Sequence, residues 1–399
     1  MQFFKKKAKE PNIYLDYAAA TPVAPEVAMV MAPYYDEYYG NPSSLHRLGK
    51  QSRVVIDAAA RAVAEILGAH SDEIIFTPSG TASDNLAVLG TVRASHQPVP
   101  HVVTSTIEHD AVREPLRALV QDKDARVTSV PVDREGRIDP AAIVAAIVPE
   151  TVLVSVMYAN NEIGVIEPIV EIGKLMKRVN RERTTQGLHP VYFHTDACQA
   201  AAFLPLAVEK LGVDLLTLNA AKLYGPKGVG ALYVRRGITL APLIYGGGQQ
   251  HGLVAGTENV PAIVGLAAAL TLARRDHEAK ILCLTSLRDY FTNGILAVIP
   301  GSTVNGHATL RLPNNVNVCL PGVDAEGLIV YLSEQGIYAG TGAACAGAKG
   351  EPSHVLEAIG LDKASIAGSV RFTFGESTTK EDIDLVLKAL PEIIKFVRI

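Results

Sequence analysis

The chain has 399 residues, 48% of them hydrophobic and 20% charged. That is the composition of a globular protein too large for one small core and too apolar for disorder throughout. With 37 Lys and Arg against 41 Asp and Glu, the formal charge is −4, which excludes a basic footprint for direct nucleic-acid binding. Four cysteines are too few for a disulfide framework and read as reduced thiols in a cytoplasmic setting.

The start carries Lys5, Lys6, Lys7 and Lys9 with no apolar stretch behind them, the pattern of a solvated tail and not of a signal peptide. From Val54 to Leu67 the residues Val55, Ala59, Val63 and Ile66 fall on one face of a predicted helix. Short β-rich runs then alternate with helical patterns. The predicted strands are Glu73–Thr77, His101–Thr106, Thr151–Met157, Val191–Thr195, Leu215–Leu218 and Gly230–Val234. A polar connector from Arg178 to Pro190 reads as an exposed loop. Ala262 to Ala273 is strongly apolar but shorter than the roughly 18 residues of a spanning helix, so it reads as buried and no membrane segment is expected.

The character changes near Arg274–Asp276. Beyond it come a charged helix, a strand segment from Leu312 to Leu320, another helix, a Gly/Ala loop and a closing helix. The alternation predicts α/β layering around a mostly parallel sheet, with a smaller C-terminal domain. The expected division is 15–274 for the large domain, and 1–14 with 275–399 for the small one.

Ligands of parallel α/β sheets bind beyond the carboxyl ends of strands, so the residues after each run carry most information. Gly80 and Thr81 follow the first run and open an apolar helix. Free N–H groups and the helix dipole attract a phosphate there, although a cap at Ser83 or Asp84 is the plainer reading. The next strand ends deliver Glu108 and His109, then Asn160, Asn161 and Glu162, then Asp196 to Gln199, then Lys222. Any one of these is commonly structural. Together they put an imidazole, an amide, a carboxylate and a lysine on one edge. A lysine for a Schiff base, a carboxylate to hold a pyridine nitrogen protonated and a helix-end phosphate site are what pyridoxal 5'-phosphate requires. Lys222 fits better than Lys227, which lies between Pro226 and Gly228 in a turn-like run.

The motifs Tyr14 to Pro22, Gly40 to Ser44, Ser83-Asp84-Asn85, Asn160 to Gly164, His194 to Ala197, Lys222 to Gly228, Ala255 to Asn259 and Val370-Arg371-Phe372 resemble those of the cysteine desulfurases. These belong to the class V aminotransferase group of fold-type-I pyridoxal-phosphate enzymes. The likeness implies a large domain with a mostly parallel seven-stranded sheet plus a smaller α/β C-terminal domain. It also implies Lys222 as the Schiff-base lysine, Asp196 at the pyridine nitrogen, Gln199 and Asn161 at the ring hydroxyl, His109 stacked on the ring, and Gly80 and Thr81 at the phosphate. Thr257 would reach the phosphate of the neighbouring subunit of a homodimer, and Arg371, with Asn161 beside it, would take the substrate carboxylate. No metal is implied.

Gly340 to Ser353 is a small-residue segment without apolar periodicity, with one thiol near its middle, Cys345. Cys345 matches the family's nucleophile, in the subgroup with a long loop. Cys283 and Cys319 read as inert core residues, and Cys198 as a small packing residue beside the ring contacts. The implied reaction converts L-cysteine to L-alanine and leaves a persulfide on Cys345 for a sulfur-acceptor protein serving iron–sulfur assembly or tRNA thiolation. Selenocysteine lysis, another class V reaction and a non-catalytic scaffold of the sulfur pathway are the alternatives. The sequence departs from the family at Ala221, commonly His, at Asn219, commonly Ser, and at Val254, commonly Arg. Losing these donors is expected to weaken the hold on the cofactor phosphate. Glu376 stands where a basic residue is common.

Overall fold

The computed structural model describes residues 12–342 and 352–398. Cys345 and the lysine-rich start lie outside them. The central sheet has seven strands: β2 (Ile74–Thr77), β3 (His101–Ser105), β4 (Arg126–Val130), β5 (Thr151–Ser155), β6 (Tyr192–Asp196), β7 (Leu215–Asn219) and β8 (Gly230–Val234). Their order across the sheet is β2-β8-β7-β6-β5-β3-β4. Pairing is parallel from β4 through β3, β5 and β6 to β7, and only β8 runs against its two neighbours. The carboxyl ends of β2, β3, β5, β6 and β7 therefore share one edge.

Every residue of β2, β3, β5 and β8 is buried, as expected where helices cover both faces, which is why these runs show no polar alternation. β4 escaped the sequence reading. It is the edge strand opposite β2, largely exposed and polar, so it carries no apolar signature.

Two further differences have physical causes. The helix predicted to begin at Val54 begins at Arg47, and it ends where Gly68 takes a left-handed φ of 64°. The segment Arg178 to Pro190, expected to be a loop, is helical as far as Thr185. Arg183 is buried there, its guanidinium donating to the carbonyls of Val148, Pro149 and His189. Tertiary satisfaction of a cation overrides the polar pattern.

The main core joins helix residues such as Val63, Leu67 and Leu266 to sheet residues such as Phe193 and Leu216. A second core unites Ile13 and Leu15 with Phe291, Phe372 and Leu390. Around it lie β1 (Ile13–Tyr14), β9 (Thr303–Val304), β10 (Asn315–Cys319), β11 (Ile337–Tyr338) and β12 (Ser369–Thr373). β10 pairs antiparallel with both β9 and β12, and β1 lies parallel to β11. The start of the described chain thus belongs to the C-terminal core. Among the described residues no helix is long and apolar enough to cross a membrane.

Candidate active site

A cavity of about 260 Å³ lies where the carboxyl ends of the central strands face β12. Lys222 closes the single 3₁₀ turn after β7, and its Nζ donates to the carbonyls of Ala18 and Ala19 at 2.7 and 2.5 Å. Burial holds this lysine's pKa below the usual range, because taking an ammonium out of water disfavours its charge. Asp196 ends β6, and its Oδ1 accepts the Cys198 amide at 2.8 Å. Gly80 opens the helix Gly80–Ala94, capped by Ser79, whose Oγ accepts from the Ala82 amide at 3.1 Å. Ser83 and Asp84, the expected caps, lie inside that helix and are buried.

His109 caps the helix Asp110–Gln121, its Nδ1 accepting the Ala111 amide at 3.0 Å. Burial lowers its pKa. Gln199 donates to the Ala18 carbonyl. Arg371, on β12, donates through Nη1 to the Asn161 carbonyl at 2.9 Å and through Nη2 to Asp16 at 2.6 Å. Gly80, Thr81, His109, Asn161, Asp196, Gln199, Lys222 and Arg371 all line the one cavity. Thr257 does not; it is exposed on a separate loop.

The thiols separate cleanly. Cys198 lines the cavity, but burial first, then Asp196, raises its pKa well above the thiol range, so it stays a neutral, weak nucleophile. Cys319 is buried in β10. Cys283, expected in the core, is exposed on the helix His277–Val298; that helix buries only a narrow stripe, Leu284, Arg288, Phe291 and Ile295.

Does this cavity suit pyridoxal phosphate? Gly80 has no side chain where a Cβ would come within 2.9 Å of Cys198 Sγ and 3.1 Å of Asn219 Cβ. The helix N-terminus is therefore open for a phosphate. A buried carboxylate and a desolvated lysine stand in the same space. The donor set fits the group.

The aminotransferase class-V family pattern matches residues 13–386. The cysteine desulfurase IscS of Dictyoglomus turgidum is 45% identical over 387 residues, covering 97% of this chain and 95% of its own. Among solved structures, a NifS-like protein superposes with a TM-score of 0.89 at 33% identity, covering 97% of this chain and 100% of that one. SspA in complex with cysteine gives a TM-score of 0.76 at 32% identity, covering 91% and 98%. The chain belongs to the cysteine desulfurases of the class-V aminotransferase family.

Enzymes of this family depend on pyridoxal phosphate, and the fold described above is their fold-type-I architecture. In this cysteine desulfurase the structure adds residues to which the sequence assigned no role. Glu108 lines the cavity, with Oε1 accepting from Ser105 Oγ at 2.5 Å and from the Met157 amide at 3.0 Å. Burial pushes its pKa up to about 8. Asp84 is raised as well, by burial and then by Asp196. Behind them His194 is held between Ser155 and Thr217, and burial pushes it down to about 4. Asp84 and Glu108 share this cavity with Asp196, and burial favours the protonated forms of Asp84 and Glu108. Glu162 and His354 complete the wall. Glu108 and Glu162 stood in the quoted strand-end runs, so position was a signal; His354 had none.

Proposed function

We propose that this cysteine desulfurase acts on L-cysteine with pyridoxal 5'-phosphate held in the cavity, releasing L-alanine and leaving the sulfur as a persulfide on Cys345. The observation that carries the reading is the convergence of Lys222, Asp196 and Arg371 on one cavity whose wall includes Gly342 and His354, the residues flanking segment 343–351 that contains Cys345. When bound, the cofactor supplies an electron sink for bonds at the substrate's α-carbon.

The chain's own residues do the rest. The backbone amides of Gly80 and Thr81, at the positive end of their helix, would hold the phosphate. Gln199, Asn161 and His109 would hold the ring, and Asp196 would keep its nitrogen protonated. Burial keeps Lys222 disposed to lose its proton and act as a nucleophile. Burial raises the pKa of Asp84 and pushes that of Glu108 up to about 8, which favours their neutral forms, and Asp196 would face the nitrogen. Arg371 would take the substrate carboxylate, and Cys345, as thiolate, would take the sulfur. A non-catalytic scaffold needs none of this set.

The reading includes a homodimer. Met29, Tyr35, Tyr39, Leu45 and Val54 are large apolar side chains exposed over one stretch of the chain, a composition suited to an interface, and exposed Thr257 would reach the second subunit's phosphate. It also includes a cytoplasmic location, the division into 15–274 and the remainder, and a sulfur-acceptor protein such as an iron–sulfur scaffold or sulfur carrier.

Purified protein given radiolabelled cysteine should release alanine and retain label as a reducible persulfide. Cys345→Ala should keep the cofactor absorption and lose the label. Undiminished persulfide or sulfide from that variant would refute the role of Cys345.

A further inference from the structure

Two imidazoles line the cavity, and their hydrogen bonds put the proton of each neutral ring on Nε2 while engaging opposite nitrogens. The Ala111 amide donates to His109 Nδ1 at 3.0 Å, so the neutral ring carries its proton on Nε2. Burial favours that neutral form. His354 Nε2 lies 2.9 Å from the backbone oxygen of Glu108. A carbonyl only accepts, so here Nε2 holds a proton, and in the neutral ring Nδ1 keeps its lone pair. Among the described residues nothing hydrogen-bonds to that Nδ1, and the ring is half-buried in the cavity wall. The cavity therefore contains one imidazole that donates and one that accepts.

The accepting ring shares the cavity with Lys222 and Arg371. His354 begins the helix His354–Ala358, capped by Ser353, whose Oγ also donates to Glu162 at 2.5 Å. It lies just beyond segment 343–351, and Gly342, on the other side of that segment, shares the same cavity. Lys222 and Arg371, proposed to engage the amino and carboxylate ends of the substrate, line the same cavity as His354.

We propose that Nδ1 of His354 is the base that takes the proton of the substrate sulfur as that sulfur is transferred, an inference that rests on the desulfurase reading. The electron pair of the Cys345 thiolate forms the S–S bond. The Cβ–S bond breaks, and its pair stays with the carbon skeleton that leaves as alanine. The S–H pair stays on sulfur, giving a persulfide anion, and the proton passes to Nδ1 and then to water, from which an equivalent proton reaches the carbon that kept the Cβ–S pair and completes the methyl group of alanine. Asp110, at the start of its helix, and Glu162, in the turn after β5, both interact electrostatically with His354. Glu108 offers its backbone carbonyl, neutral His109 shares the cavity, and Glu357 on the ring's own helix is exposed.

His354→Gln in the holoenzyme keeps an amide N–H for the Glu108 carbonyl and removes the base. Persulfide formation should fall about a hundredfold in kcat, with KM for cysteine, cofactor absorption and L-alanine binding unchanged. The acidic limb of the kcat profile against pH should disappear. His354→Ala should regain turnover when imidazole is added. Turnover of the Gln variant within about twofold of the parent, far short of a general base's contribution, overturns the proposal, as does an unmoved pH profile or an Ala variant that imidazole does not restore. A parent enzyme that makes no alanine from cysteine instead defeats the desulfurase reading and takes this proposal with it.

Discussion

Arg371 Nη2 donates to Asp16 Oδ1 at 2.6 Å, tying the last strand to the segment following the first. Arg371 is buried, whereas the Asp16 side chain keeps 22% of its surface. A Cβ on Gly340 would come within 3.0 Å of Asp16 Oδ1 and 3.2 Å of Arg371 Nη2, so that glycine leaves the pair its room. Asp16→Asn removes the charge beside a buried cation and should cost about 1–3 kcal/mol of stability. Thermal melting checks this, and steady-state kinetics should show a raised KM for cysteine as Arg371 loses its fixed orientation.

Gly80 and Cys198 compete for one small volume. Gly80→Ala would bring a methyl group to 2.9 Å from Cys198 Sγ, and a sulfur confined in a close-packed wall has little room to retreat. Cofactor affinity should fall in that variant and return in Gly80→Ala/Cys198→Ala. Cofactor titration by absorbance measures the coupling, and equal losses in the single and double variants would sink the idea.

Glu108 gives the apoprotein a pH dependence of definite sign. Its folded pKa lies at about 8, raised from 4.5 chiefly by burial. Between these values the native state holds a proton that the unfolded chain has lost. The contribution to stability is therefore fully present below the unfolded value and is lost as pH rises through about 8. Glu108→Gln, which cannot ionise, should flatten that part of the denaturation midpoint against pH; an unchanged slope would contradict the assignment.

Asn219 caps the lysine turn, its side chain accepting the amide of Ala221 within that turn at 3.1 Å. Ala221→His adds a donor beside the proposed phosphate position and should tighten cofactor retention by about tenfold, the size of one charge-assisted hydrogen bond. Dialysis followed by absorbance reads the residual cofactor.

Much of this protein is legible along the chain because its chemistry sits where regular structure ends. Buried parallel strands are continuous apolar runs, and the residue after each run reaches the common edge, so His109, Asn161, Asp196 and Lys222 could be named before any coordinates. Arg371 was singled out only through the resemblance of its motif to a family, and Cys345 through that resemblance together with its place in a small-residue segment, since neither follows a central strand.

Tertiary structure alone decided which carboxyls burial shifts upward and which nitrogen of each imidazole is engaged. Those properties depend on burial and on partners remote in sequence: Ser105 and Met157 around Glu108, Asp196 beside Asp84, and the Glu108 carbonyl that orients His354 across 246 positions. It also converted Cys283 from an expected core residue to a surface one, and the connector after Arg178 to helix. A linear pattern records which side chains are apolar and how they repeat. Desolvation and hydrogen-bond direction arise only once distant segments meet.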